Sequence, residues 1–373
     1  MSDARDRPAA SRWSAPDLRD DVVRLRELVD ADAADMAAAG EGHRGRIVYS
    51  LRRLSTELPP GHALDRPALG DLDEVAAVLV ACDLADRGEA DARREELTEH
   101  WHGLPHFSLD RDAWIVRDAD GTIVAYAWVW DETPGKELIA EHAVHPDHRG
   151  RGIGEALLTL IERHAGRHAA LSPAQAVSLG VFADSRCGPT LALFRRHGFS
   201  KTREFQRMRI PLDQAPPVPA WPLGIDVRAF RRGQDEAAAH TAMDEAFSED
   251  FRASHLSLDE WTRLLLANPA FDDDLFQLAW DGHVVAGAVL CYVESAAGRG
   301  VVDMLGVRTP WRRHGLGTAL LLHGLHLLRQ RGCPAAQLGV DTENATGAQR
   351  IYVRAGMRPV ARTEFFEKHV APA

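Results

Sequence analysis

The chain is poor in everything that would staple, export or embed it. Its four cysteines, Cys82, Cys187, Cys291 and Cys333, lie far apart and show no Cys-x-x-Cys spacing. That argues against a disulfide framework and a cysteine zinc site, and fits a reducing cytoplasm. No run of 18 apolar residues occurs, so no membrane-spanning helix is expected. Met1-Ser2-Asp3-Ala4-Arg5-Asp6 lacks the apolar core of a secretory leader. There is no Gly-x-x-x-x-Gly-Lys-Ser/Thr loop and no Gly-x-Ser-x-Gly elbow, which sets aside a Walker nucleotide site and a hydrolase nucleophile. Positive charge is also short: the net charge is −11, so nonspecific nucleic-acid binding is not expected.

What is present is present twice. Arg149-Gly150-Arg151-Gly152-Ile153-Gly154 and Arg312-Arg313-His314-Gly315-Leu316-Gly317 both read Arg-x-x-Gly-x-Gly, at an offset of 163 residues. Two further landmarks repeat at close spacing, the turn pair Asp120-Gly121 with Asp281-Gly282 and the exit pair Gly198-Phe199 with Gly356-Met357. In a chain of 373 residues that spacing predicts two copies of one domain. Each motif stands between a short apolar strand and a long amphipathic helix. A glycine turn opening a helix is a ready anion site, because its N–H groups point outward and the helix dipole favours negative charge. The net negative charge repels an anionic cofactor at long range, so the arginines beside the glycines have to attract it locally.

The pattern predicts a helical N-terminal extension over 1–60, a first domain over 61–212, a proline-rich linker over 213–223 and a second domain over 224–373. Within the first, strands are expected at Ala63–Ala68, Ala113–Val116, Ile123–Trp130, Leu138–Val144 and Ala176–Phe182. Helices are expected from Asp71 to about Ala85, and at Asp91–Trp101, Gly152–His168 and Gly188–His197. The second follows the same order and ends in a strand at Ala361–Lys368. A hairpin precedes each motif strand, which is the wrong order for repeated βαβ dinucleotide units.

Val144-His145-Pro146-Asp147-His148 followed by the first motif resembles the acetyl-CoA signature of the GNAT acetyltransferase superfamily. So does Val307-Arg308-Thr309-Pro310-Trp311 followed by the second. Asp341-Thr342-Glu343-Asn344 through Ile351-Tyr352 to Gly356-Met357 resembles that family's downstream pattern, with Ile351 for leucine and Met357 for phenylalanine. The architecture is similar to tandem chains of the mycothiol-synthase type. The resemblance covers roughly residues 62–370. It implies an α/β (α+β) fold of two tandem GNAT-like domains, each a mixed, mostly antiparallel sheet flanked by helices, splayed beside the motif strand to admit pantetheine.

It also implies acetyl-CoA or another short acyl-CoA, held by Val144, Arg149, Gly150, Arg151, Gly152, Ile153 and Gly154. The second set is Leu305, Val307, Arg312, Arg313, His314, Gly315, Leu316, Gly317 and Asn344. The expected reaction is transfer of an acetyl group to the amine of a small molecule or peptide. A cysteinyl amine acceptor, as for the mycothiol-synthase type, is one alternative; a non-catalytic acyl-CoA-binding module is another. A monomer or homodimer is expected, with no membrane partner.

The copies differ where the chemistry would lie. Asp303, on the second motif strand, is a carboxylate among apolar residues; its counterpart by counting is Ala140. Tyr352 has Phe194 as its counterpart, and a phenyl ring cannot donate a proton. Asp303 is therefore expected to accept the ammonium proton, or alternatively to orient the substrate. An N–H near Leu305 is expected to hold the oxyanion and Tyr352 to protonate the thiolate. The first copy is expected to bind acyl-CoA without catalysis; the rival is a second active site using Glu141 or His142, with His142 pointing towards the acyl group and Glu141 away. His142, His145 and His148 have a metal-like spacing, but Pro146 breaks any common face, and no metal is expected there or elsewhere in the chain.

Overall fold

The computed structural model describes residues 58–90, 94–251, 255–268, 270–294, 298–344 and 347–372. The expected helices of the N-terminal extension lie outside them, up to residue 57.

Among the described residues, six strands come from each half of the sequence. The first half supplies β1 (Ala63–Asp65), β2 (Ala113–Arg117), β3 (Ile123–Thr133), β4 (Glu137–Val144), β5 (Val177–Asp184) and β6 (Ser200–Pro211). The second supplies β7 (Ile225–Ala229), β8 (Phe276–Asp281), β9 (Val284–Val293), β10 (Gly300–Val307), β11 (Ala335–Asp341) and β12 (Arg358–Val370). The helices in chain order are α1 (Leu72–Arg87), α2 (Arg94–Gly103), a single turn α3 (Leu109–Asp112), α4 (Ile153–Leu171) and α5 (Gly188–Arg196). They continue with α6 (Glu236–Phe247), α7 (Leu258–Ala267), α8 (Leu316–Gln330) and α9 (Ala348–Arg354).

All twelve strands join in one sheet, in the order β1-β2-β3-β4-β5-β12-β6-β11-β10-β9-β8-β7. The last strand of the chain thus completes the first half, lying antiparallel between β5 and β6. Reciprocally, β6 completes the second half by pairing with β11. Sequence reading left residues 200–210 without an element. Alternation there is obscured by Lys201, Arg203, Arg207 and Arg209, which a strand tolerates where its neighbours carry acids. Arg209 reaches both carboxylate oxygens of Glu89, at 2.7 and 3.1 Å. The expected first strand stops early, at Asp65, because Pro67 and a 3₁₀ turn over Leu69–Asp71 intervene.

The hairpins follow their turn chemistry. Asp118 Oδ1 accepts the N–H groups of Asp120 and Thr122 at 3.1 and 2.9 Å, closing the β2–β3 turn. Helix α7 opens on a reciprocal Ser257–Glu260 capping box. Apolar residues at helical spacing on α8, Leu316, Leu320, Leu321, Leu325 and Leu328, are all buried, and pack on Val289, Cys291 and Val302 of the sheet. On the opposite face of the second half, Ala239, Ala242 and Met243 of α6 meet Phe276, Leu278 and Leu290. Phe365 and Phe366 of β12 are 0 % and 1 % exposed, so the exchanged strand carries core side chains as well as hydrogen bonds.

Candidate acetyl-transfer site

Both motif loops fold alike. Gly150 and Arg313 have φ of +74° and +65°, and Gly152 and Gly315 have +92° and +87°. Gly152 and Gly315 are the N-caps of α4 and α8, and neither helix has a side-chain cap. The first-turn N–H groups therefore have no intrahelical acceptor and none from a capping side chain. A Cβ at Gly150, Gly152 or Gly315 would meet nothing within 4 Å, so the space above each nest is open. That arrangement fits a diphosphate lying on main-chain amides.

The side chains of the motif divide the work. Ile153 and Leu316 are each 1 % exposed and point inward, leaving only their backbone to a ligand. Arg149 Nε donates to Val144 O at 3.0 Å, and Arg312 Nε to Val307 O at 3.0 Å. Arg149 also grips Asp86 through both terminal nitrogens, and Arg312 grips Glu249 and the carbonyl of Ala246. The two arginines thus brace the loops; Arg151, Arg313 and His314 are the exposed groups that remain to meet an anion. Arg151 donates to Asp147 O at 2.9 Å. Sequence reading missed the anchors Asp86 and Glu249, although their offset is the same 163 residues as the motif's.

The sheet opens where pantetheine is expected. Strand β4 pairs with β5 only from Glu137↔Ser178 to Ala140↔Val181. Strand β10 pairs with β11 only at Gly300↔Ala336 and Val301↔Gln337. Beyond these points one edge of each motif strand loses its parallel partner, up to Val144 and Val307. Leu305 and Val307 keep their partners on β9, Val289 and Gly287. Val307 and Val144 stand 3.6 and 3.9 Å from a Cβ placed at Gly317 and Gly154, closing the floor beneath each loop.

In the second half, β10 bulges between Val302 and Met304, at Asp303. Its first-half counterpart Ala140 pairs regularly with Val129, without a bulge. The bulge places Asp303 and Met304 together in a cavity of 190 Å³ walled by Trp261, Asn268, Phe271 and Tyr292. Tyr352 is 7 % exposed, and burial, with Asp250 nearby, pushes its phenol up to about 12. Asn344 Nδ2 reaches Asp250 at 3.4 Å. Burial, then Asp341, raises the Asp250 carboxyl above its ordinary range. Asp250 is a further site group that the sequence pattern did not single out, because it lies in the loop after α6.

In the first half, a cleft of 800 Å³ runs from the motif loop past Glu141 and His142 to Trp128, Cys187 and Arg196. Cys187 occupies the place of Asn344: each donates its N–H to the carbonyl of the strand-end aspartate, Asp184 or Asp341. Phe194 packs edge-on to His142, with ring centres 5.8 Å apart. Burial, then His197, holds His142 down at about 4. His142 turns to α4 and α5, with Nε2 3.7 Å from a Cβ placed at Gly154. Glu141 lies near Tyr126 instead, whose phenol burial and then the Glu141 charge drive upward. His145 and His148 sit apart from His142 on the loop, their rings 6.1 Å from each other.

Comparison with known proteins agrees with this geometry. Residues 240–357 match the model of the acetyltransferase (GNAT) family, and residues 110–201 that of the acetyltransferase (GNAT) domain. A mycothiol acetyltransferase of Nocardiopsis dassonvillei is 33 % identical over 333 residues, covering 79 % of this chain and 93 % of the relative. The crystal structure of a GCN5-related N-acetyltransferase from Sphaerobacter thermophilus has a TM-score of 0.73 at 32 % identity, covering 85 % of this chain and 98 % of that one. A tandem GNAT protein from the clavulanic acid biosynthesis pathway shares the fold, with a TM-score of 0.62 at 20 % identity, covering 84 % and 99 %. The chain belongs to the GNAT acetyltransferase family, as an N-acetyltransferase with two GNAT domains in tandem.

Proposed function

We propose that the second half acetylates the cysteinyl amine of a small sugar-inositol thiol precursor, with acetyl-CoA as donor. The observation that carries this reading is the bulge at Asp303, which puts an exposed carboxylate on the lining of a cavity walled by Trp261, Phe271 and Tyr292. Identity to mycothiol acetyltransferases over 93 % of a relative's length supports the acceptor class.

Acetyl-CoA supplies the thioester; the chain supplies orientation and protons. Asp303 takes a proton from the ammonium, directly or through water, leaving a neutral amine to attack the carbonyl carbon. An amide on the open edge of β10, near Leu305, holds the oxygen as charge develops. Tyr352, kept protonated by burial, gives its proton to the departing sulfur, and its phenolate regains one from the second proton shed by the acylated nitrogen, so the products are a neutral amide and free CoA thiol. Asn344 and the loops over 312–317 orient the cofactor. The first half holds acyl-CoA through residues 149–154 without turning it over, since Cys187 and Phe194 replace Asn344 and Tyr352. The setting is cytoplasmic, consistent with the absence, among the described residues, of any helix long and apolar enough to cross a membrane.

The test is acetylation by the full chain of a panel of amines, including cysteinyl-glucosaminyl-inositol, an aminoglycoside and short peptides. Product mass is the readout, because this acceptor carries its own thiol. Preference for the cysteinyl acceptor by 100-fold or more in kcat/KM is expected. Equal or better use of the other amines overturns the acceptor assignment.

A further inference from the structure

A second cluster of chemical groups lies on α4, and acetyl transfer does not use it. His164 and His168 are one helical turn apart and share a face. His164 Nε2 lies 3.1 Å from Asp112 Oδ1 and 3.2 Å from His168 Nε2. His168 Nδ1 lies 3.4 Å from Asp131 Oδ2. Asp112 ends α3, Asp131 is on β3 and the histidines are on α4, so three elements converge here. Asp112 and His164 are 1 % and 5 % exposed.

Hydrogen bonding alone leaves this cluster unsatisfied. A single hydrogen on His164 Nε2 cannot serve Asp112 and His168 together. His164 Nδ1 and Asp131 Oδ1 are both buried without a partner. The Asp112 carboxylate is held in place independently, by the Ser108 N–H at 2.8 Å and by Arg111 Nε and Nη2 at 2.9 Å. Its Oδ1 is aimed at the histidines by that grip. Trp114 closes the side, its ring centre 5.2 Å from that of His164.

We propose that Asp112 Oδ1, His164 Nε2 and His168 Nε2 ligate a divalent first-row transition ion, with Zn²⁺ the best match to a two-histidine, one-carboxylate set. One ligand atom from each residue already lies within 4.8 Å of the others. Tetrahedral Zn²⁺, with bonds of about 2.0–2.1 Å, spaces its ligand atoms roughly 3.3 Å apart, so little movement is needed. Asp131 Oδ2, 3.4 Å from His168 Nδ1, stands where it would accept that N–H with the ion in place, which leaves Nε2 to ligate and orients the ring. A water completes the coordination. The ion pins the middle of α4 to α3 and β3, and α4 opens on the nest at Gly152.

Untagged full-length protein, stripped by chelator, is titrated with Zn²⁺ and with Co²⁺. Metal content, visible cobalt bands and thermal melting are followed. One equivalent per chain is expected, with a rise in melting temperature. His168→Gln and Asp112→Asn should abolish that equivalent while keeping the far-ultraviolet dichroism. Asp131→Asn should weaken it about 10–100-fold, and His148→Gln should leave it intact. No stoichiometric uptake by the wild type overturns the site. So does uptake that survives both ligand substitutions, or that is lost in His148→Gln.

Discussion

Phe365, from the last strand of the chain, crosses Gly180 of the first half so closely that a Cβ there would stand 2.6 Å from its ring carbon Cε2. Ile139 closes the other side at 3.1 Å. The contact joins the sequence's end to its first half, in the exchanged part of the sheet. Gly180→Ala is therefore expected to destabilise the chain by about 1–3 kcal/mol through overpacking. Because β6 and β12 are exchanged, both halves should melt together in denaturant. Two separated transitions, with only the first displaced, would contradict the interlocked sheet.

Tyr352→Phe is expected to lower kcat about 10²–10⁴-fold, with the KM for acetyl-CoA little changed. Its folded phenol near 12 lies above the ordinary tyrosine value, so the folded state keeps a proton that the unfolded state loses. Stability should consequently fall with rising pH between about 10 and 12, and the Phe variant should lack that loss. A pH series of melts and of single-turnover rates checks both. Full turnover by the variant, with cofactor still bound, would remove the acid role.

Asp303→Asn separates a base from an orienting group. As a base, its loss should be relieved at high pH, where the amine deprotonates unaided. The pH profile of kcat/KM should then climb with unit slope towards the amine's own pKa. A uniform loss across pH, with raised acceptor KM, is the signature of orientation alone.

Arg312→Ala should weaken acetyl-CoA binding although its guanidinium is turned inward. It removes the donors to Val307 O and Ala246 O and the partner of Glu249. A stability loss of about 1–3 kcal/mol follows from the orphaned carbonyls. Calorimetric titration with CoA and a denaturant melt read the two effects. Unchanged affinity and stability would show that the loop holds its shape without this brace.

His142, held near 4, is neutral in the folded state at pH values where the unfolded chain binds a proton. Stability should thus decline as pH falls from about 6.5 to 4. His142→Gln, which keeps a polar group of similar size, should flatten that decline. Melts at four or five pH values across the window suffice, and an unchanged slope would assign the acid limb elsewhere.

The pattern on the chain was informative where chemistry is local. A glycine turn with a strand before and a helix after was readable at 149–154 and 312–317, because each loop is built from consecutive residues; the positive φ of Arg313 was not. The Asp281-Gly282 hairpin and the long helix α8 were readable for the same reason. Asp303 and Tyr352 were legible as asymmetries between the copies. What counting along a strand could not supply was direction. One extra residue at Asp303 shifts the pairing between Val302 and Met304, where the first copy pairs regularly at Ala140, so parity counted along one strand does not carry over to the other.

By itself, then, the sequence determined a doubled GNAT chain with two glycine-rich motif loops and a Tyr352-for-Phe194 difference between its halves. Local backbone propensity and residue spacing suffice for that. Only the tertiary structure decided that β12 crosses into the first half, that Arg149 and Arg312 brace loops through Asp86 and Glu249, and that Asp112 meets His164. These are contacts between residues far apart in the chain. Their partners are chosen by packing and by the satisfaction of buried polar groups, which no window of sequence contains.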